Sequence, residues 1–162
     1  MLPMDPIIRR ANAGDYDALC AILSEADALH HEAVPWIFRH NEGPARTREY
    51  VDGLLADPAV AVFVAEVDGH EAGMVYVLIR TNSPLPIMAP RRFAVVDTLA
   101  VAEAYRRRGL ARALMAAAEQ WAVSQGAQDI ELQVYEFNQG AQELYRALGY
   151  ETVTRRMGKL LR

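Results

Sequence analysis

The densest chemistry in the chain lies at Arg106, Arg107, Arg108, Gly109, Leu110, Ala111 and Arg112, where three consecutive guanidinium groups meet a glycine at the start of an apolar-periodic segment. Arginine forks match phosphate oxygens with charge-assisted hydrogen bonds. A glycine opening a helix leaves the first-turn amides uncluttered, and the helix dipole adds partial positive charge, so a pyrophosphate can sit there without a metal. Three arginines alone read more often as a solvated turn. Their place between a β-rich run ending near Val101 and a long helix favours an anion site. Rival phosphate motifs fail: Gly158 and Lys159 are followed by Leu160 rather than Ser or Thr, and no GxGxxG follows a strand. A nucleotide hydrolase or dinucleotide enzyme is therefore disfavoured.

The elements around this segment follow from periodicity and turn chemistry. Ile7 and Ile8 begin a short strand ending at Arg10, and Asn12, ahead of Asp15, reads as a helix cap. Leu19, Ile22, Leu23 and Ala26 share a helical face between Asp15 and about Leu29, and Pro35 breaks the pattern. Tyr50, Leu54 and Leu55 suggest a short helix within Arg46 to Leu55, closed by Asp57 and Pro58. Val60 to Val67 and Ala72 to Ile79 form an antiparallel pair around an Asp68–Gly69 turn. The prolines between Asn82 and Pro90 impose a loop, after which Phe93 to Val101 reads as a strand and Glu103 to Tyr105 as a turn. A helix follows Gly109, with Leu110, Leu114, Ala117, Ala118 and Trp121 on one face and Gly126 as its stop. Asp129 to Tyr135 alternates like a strand; Asn138 caps a helix carrying Ala141, Leu144, Tyr145 and Leu148, which Gly149 ends. Tyr150 to Leu161 reads as a last strand. The order describes one mixed α/β domain over residues 1–162.

Composition agrees with a single core: 162 residues are 52% hydrophobic, with a formal net charge of −4. That charge argues against a nucleic-acid partner and mildly favours a cationic substrate. No apolar run reaches the ~18 residues of a membrane span, and MLPMDPIIRR lacks an apolar signal core, so a cytoplasmic protein without membrane association is expected. Cys20 is the only cysteine and reads as a small apolar residue. His30, His31, His40 and His70 lack metal-ligand spacing, and no metal is expected.

Arg106, Gly109 and Ala111 resemble the coenzyme A signature of the GNAT acyltransferases: Gln or Arg, two residues, Gly, one residue, then Gly or Ala. The match follows VVDTLAV and AEAY, and VYEFNQGAQELYRALGY, from Val134 to Tyr150, is similar to the family's later strand and helix. The resemblance spans about Ile7 to Leu161. It implies a mixed, mainly antiparallel sheet with helices on both faces, splayed where coenzyme A enters. It further implies that the backbone of Leu99, Ala100 and Val101 lines the acyl and pantetheine part, and that Arg106 to Arg112 hold the pyrophosphate. Asn138 would lie near the pantetheine arm, and Tyr145 would protonate the departing thiolate. The activity implied is direct transfer of an acetyl group from acetyl-CoA to a primary amine of a small molecule or peptide, without an acyl-enzyme. Many relatives dimerise, though no residue here compels a homodimer.

Such a step needs a base, because a primary amine arrives protonated. Asp97, Glu131 and Glu136 are the candidates, and Asp97 is preferred as preceding the acyl-binding segment and sharing a face with Leu99 and Val101. Bland readings stand beside these: Tyr145 as a core aromatic, Asn138 as a cap alone, and the Leu29 to Phe38 segment, with His30, His31, Trp36 and Phe38, as packing rather than acceptor pocket. The alternative function is a non-catalytic acyl-CoA-binding or sensing module, which needs neither Tyr145 nor a base. A polyamine, an aminoglycoside, an amino acid and a protein amine all remain open as acceptors.

Overall fold

A computed structural model describes residues 5–82 and 85–161. The readings at Met1 to Met4, Ser83, Pro84 and Arg162 lie outside the described residues. The chain forms β1 (Ile7–Arg10), α1 (Tyr16–Ala33), α2 (Arg48–Ala56), β2 (Val60–Val67), β3 (His70–Thr81), β4 (Arg92–Val101), α3 (Leu110–Ser124), β5 (Asp129–Leu132) and α4 (Gln139–Ala147). The five strands lie in sequence order, every neighbouring pair antiparallel except β4 with β5. That one parallel pair follows from the connection: α3 carries the chain back across the sheet between β4 and β5. No helix among the described residues is long and apolar enough to cross a membrane.

Both faces of the sheet are covered, which explains why its central strands read as nearly continuous apolar runs. Ala61, Val75, Val77, Ala94 and Val96 pack with Leu110, Leu114, Met115 and Ala118 of α3 on one face. Val62, Val64 and Met74 pack with Leu19, Ile22 and Leu23 of α1 and Val51 of α2 on the other. The β2–β3 turn places Asp68 at φ 52° and Gly69 at φ 78°, the double left-handed geometry that matches strand twist. Gly73 is a packing requirement: a Cβ there would lie 3.0 Å from the Ala100 carbonyl oxygen and 3.2 Å from Leu114 Cδ1 and Val101 Cγ2. β3 thus lets α3 and the end of β4 approach closely.

Asn12 caps a 3₁₀ turn (Ala13–Asp15) leading into α1: its side chain accepts from the Gly14 amide, and Asp15 accepts from the Asn12 amide at 2.7 Å. Asp15 is only 3% exposed and also accepts from Arg9 Nη1 and Nη2 at 2.9 and 2.8 Å. Arg9 further reaches Glu66 and Glu71, so one guanidinium of β1 ties together β2, β3 and the start of α1.

Two strand expectations need correction. β5 ends at Leu132 rather than Tyr135, and Tyr150 to Leu161 forms no strand. The sheet order gives the reason: β5 is a four-residue edge, and no neighbour forms a ladder with the final segment, whose Val153 and Leu161 are 87% and 89% exposed. Propensity without a ladder partner does not make a strand.

Arg9's hydrogen bonds hold the Asp15 carboxyl below the usual carboxylate value, so the pair contributes stability above about pH 4 and loses it as pH falls through the lowered folded-state value. Asp15→Asn is expected to cost about 2 to 3 kcal/mol at pH 7 and to flatten the acid limb of the stability curve, measured by urea unfolding between pH 3 and 7. Gly73→Ala is expected to cost about 1 to 3 kcal/mol by displacing Ala100 and Val101 from Leu114, measured by thermal unfolding.

Candidate active site

The site begins with a one-residue irregularity in β4. Tyr76 pairs with Thr98, but the next residue of β3, Val77, pairs with Val96, leaving Asp97 as the extra residue of a bulge. A bulge resets alternation and re-aims side chains. Ala94 and Val96 pack toward α3 before it, Leu99 and Val101 pack toward α3 after it, and Asp97 and Thr98 both line a cavity on the α1–α2 side. This corrects the expectation that Asp97 shares a face with Leu99 and Val101, which holds only for an unbroken strand.

β4 also parts from β5 here. Their pairing runs from Phe93 with Asp129 to Val96 with Leu132 and stops, so the outer edge of Asp97 to Val101 has no sheet partner among the described residues. The chain beyond β5 is drawn elsewhere: Tyr135 and Phe137 pack on His30 of α1 with ring centroids 5.3 and 5.5 Å apart, and Phe38 joins at 5.1 Å from His30. This cluster holds the strands open. Trp36, by contrast, is 63% exposed.

Past Val101, a 3₁₀ turn (Glu103–Tyr105) leads to the arginine loop. Arg107 sits at φ 60° and Gly109 at φ 80°. A non-glycine residue held left-handed is a local strain that surrounding structure must enforce. The first bond of α3 runs from the Ala113 amide to the Gly109 carbonyl, and the amides of Gly109, Leu110, Ala111 and Arg112 have no acceptor among the described residues. The guanidinium groups of Arg107, Arg108 and Arg112 have no carboxylate partner there either. Arg106 differs: its Nε donates to the Val101 carbonyl at 3.1 Å and its Nη2 lies 3.9 Å from Glu25. Its side chain braces the loop rather than facing outward with the others. Glu25, on α1, also accepts from the Glu103 amide at 2.7 Å, a contact for which the sequence offered no motif.

Tyr145 packs against the same apolar cluster as Leu99, Val101 and Tyr105, with its ring 5.8 Å from that of Tyr150. Burial pushes its hydroxyl pKa up, so it stays protonated at neutral pH, and the hydroxyl has no hydrogen-bond partner among the described residues. Tyr150 is already committed, donating to Glu119 at 2.9 Å. Asn138 caps α4, its side-chain oxygen accepting from the Ala141 amide at 3.1 Å, which leaves its amide donors available.

The cavity beneath the bulge has a volume of about 70 Å³ and is bounded by α1, α2, β2, β3 and β4. Asp97 lies on its wall beside Thr98, whose hydroxyl donates to it at 3.0 Å, and near Tyr76, whose pKa rises through burial and then through the Asp97 charge. The other base candidates are placed differently. Glu131 is gripped by Arg91 at 2.8 Å, and Arg91 also grips Asp129, so this second arginine cluster serves the edge of the sheet; Glu136 is exposed outside the cavity. Arg92 donates to the Gln125 carbonyl at 2.8 Å. His30 and His31 bond to the carbonyls of Ala26 and Phe38, and Cys20 is half-buried against the Arg46 carbonyl.

A family model described as Acetyltransferase (GNAT) family matches residues 25–150. Among solved structures, a mutant of the BH1408 protein from Bacillus halodurans is 25% identical with a TM-score of 0.91, covering 96% of this chain and 99% of that one. Aminoglycoside N-acetyltransferase AAC(6')-Iy in complex with CoA is 21% identical with a TM-score of 0.72, covering 100% of this chain and 99% of that one. A transcriptional regulator from Bacillus halodurans C-125 is 19% identical with a TM-score of 0.77, over 97% and 100%. No curated protein matches the chain by sequence. The last two structures speak to fold alone. The family match runs from within α1 through α4 and takes in the bulged strand, the arginine loop and α3; the chain belongs to the GNAT family of acetyltransferases.

Proposed function

We propose that the chain is an acetyl-CoA-dependent N-acetyltransferase that passes the acetyl group directly to a primary amine of a small molecule or peptide. The observation that carries this reading is the continuity of an unpaired β4 edge, Asp97 to Val101, with an arginine loop whose helix amides lack acceptors. An extended thioester fits the first by strand-like hydrogen bonding, and a pyrophosphate fits the second.

Each residue then has a task. Amides of Gly109 to Arg112 and the guanidinium groups of Arg107, Arg108 and Arg112 hold phosphate oxygens, while Arg106 fixes the loop to β4 and α1. Backbone amides at Leu99 to Val101 donate to the thioester carbonyl and stabilise the charge that develops on its oxygen as the amine attacks. Asp97, facing the opposite side of the strand, takes the ammonium proton directly or through one water, which frees the nitrogen lone pair. When the carbon–sulfur bond breaks, the sulfur keeps the electron pair and the Tyr145 hydroxyl supplies its proton. The raised pKa of Tyr145 keeps that proton in place until it is needed.

Tyr145→Phe is expected to lower kcat by about 10²-fold while leaving the acetyl-CoA Kd within about twofold, measured by thiol release and calorimetry; unchanged turnover would remove Tyr145 from the mechanism. The double variant Arg107→Ala, Arg108→Ala is expected to weaken acetyl-CoA binding by about tenfold or more, with the difference shrinking as salt rises. Equal affinity at low salt would place the pyrophosphate elsewhere.

A further inference from the structure

We propose that the cavity under the β4 bulge selects a compact primary monoamine with an apolar body, such as an arylalkyl or branched alkyl amine, over polyamines and aminoglycosides. The inference rests on the acetyltransferase reading and narrows its acceptor.

Among the described residues Asp97 is the single carboxylate on the cavity wall, and the one cation there, Arg46, is held in a bidentate pair with Asp27. A polycation would bring several ammonium groups to a wall able to pair one. Each further ammonium would lose its water without gaining a partner, which is expensive in a confined site.

The remaining wall gives the body of the ligand. Leu19, Leu23, Val51, Leu54, Val62 and Met74 supply an apolar floor. The polar groups other than Asp97 and Arg46 are the Thr98 hydroxyl, already donated to Asp97, and the phenols of Tyr50 and Tyr76. An aminoglycoside carries more hydroxyls than these groups can satisfy, whereas an alkyl or aryl body brings no polar group that needs a partner. The cavity is small, about 70 Å³, which suits a compact body and leaves little room for a multi-ring polycation.

Distance connects the cavity to the transfer step. Asp97 precedes Leu99 by two residues, about 7 Å of strand rise, so an amine hydrogen-bonded to Asp97 stands within reach of a carbonyl held at Leu99 or Ala100. The bulge turns Asp97 toward the acceptor cavity while Leu99 packs on the face of α3.

The test is thiol release from acetyl-CoA by the full chain with phenethylamine, isoamylamine, spermidine, putrescine and kanamycin, alongside calorimetric binding of acetyl-CoA. The monoamines are expected to give kcat/KM at least tenfold above the polycations. Leu54→Glu, which adds a second carboxylate to the wall, is expected to bring putrescine level with or above isoamylamine, and the milder Leu54→Ala is expected to favour bulkier monoamines. A polycation preferred by the native chain would overturn the inference while upholding the acetyltransferase. Acetyl-CoA binding without release by any of the five would overturn both.

Discussion

One extra residue in β4 decides how the rest of the molecule works. A regular strand would carry its alternation from Arg92 to Val101 and keep one set of side chains on each face. With Asp97 inserted opposite the Tyr76–Val77 step, the strand becomes two segments of opposite phase joined by a kink. The first segment keeps the sheet closed against β5. The second leaves β5 and presents a bare edge, beside which the acid side chain faces the opposite cavity. The unpaired edge and the cavity, which the proposed function assigns to donor and acceptor, arise from the same local departure from regularity.

The two faces of the sheet then divide the work. α3 packs under the arginine loop and the Leu99–Val101 segment, and Tyr145 of α4 joins that apolar cluster. α1 and α2 close the cavity at Asp97 on the other face. Glu25 links the halves, because it lies on α1 yet caps the turn that leads into the arginine loop and faces Arg106. The aromatic cluster of His30, Phe38, Tyr135 and Phe137 is a second link, drawing the chain after β5 onto α1 and so maintaining the gap between β4 and β5.

Much of this was legible in the residues. Helix α3, its glycine start and its apolar stripe, the Asp68–Gly69 turn and the Asn138 cap all depend on local chemistry, and each lies where its own residues place it. What escaped depends on partners distant in the chain. Alternation alone put Asp97 on the face of Leu99, because a bulge is defined by its neighbour's register and leaves no mark in the strand's own composition. Alternation likewise extended β5 to Tyr135, and Tyr150 to Leu161 read as a strand, where pairing is lacking. The second arginine pair, Arg91 and Arg92, looked like the first, yet its partners Asp129, Glu131 and Gln125 come from the next crossover. Glu25 and Gly73 carried no motif; their roles exist only once α1, β3 and β4 are assembled.

The most direct test of the account is residue-resolved amide hydrogen exchange with and without acetyl-CoA. Slowed exchange is expected at two separated places together, the Leu99 to Val101 edge and the Gly109 to Arg112 amides, with Ile7 to Arg10 unchanged. Protection at neither place, or at the helix start while the β4 edge exchanges as before, would contradict the claim that the bulged strand receives the acyl donor.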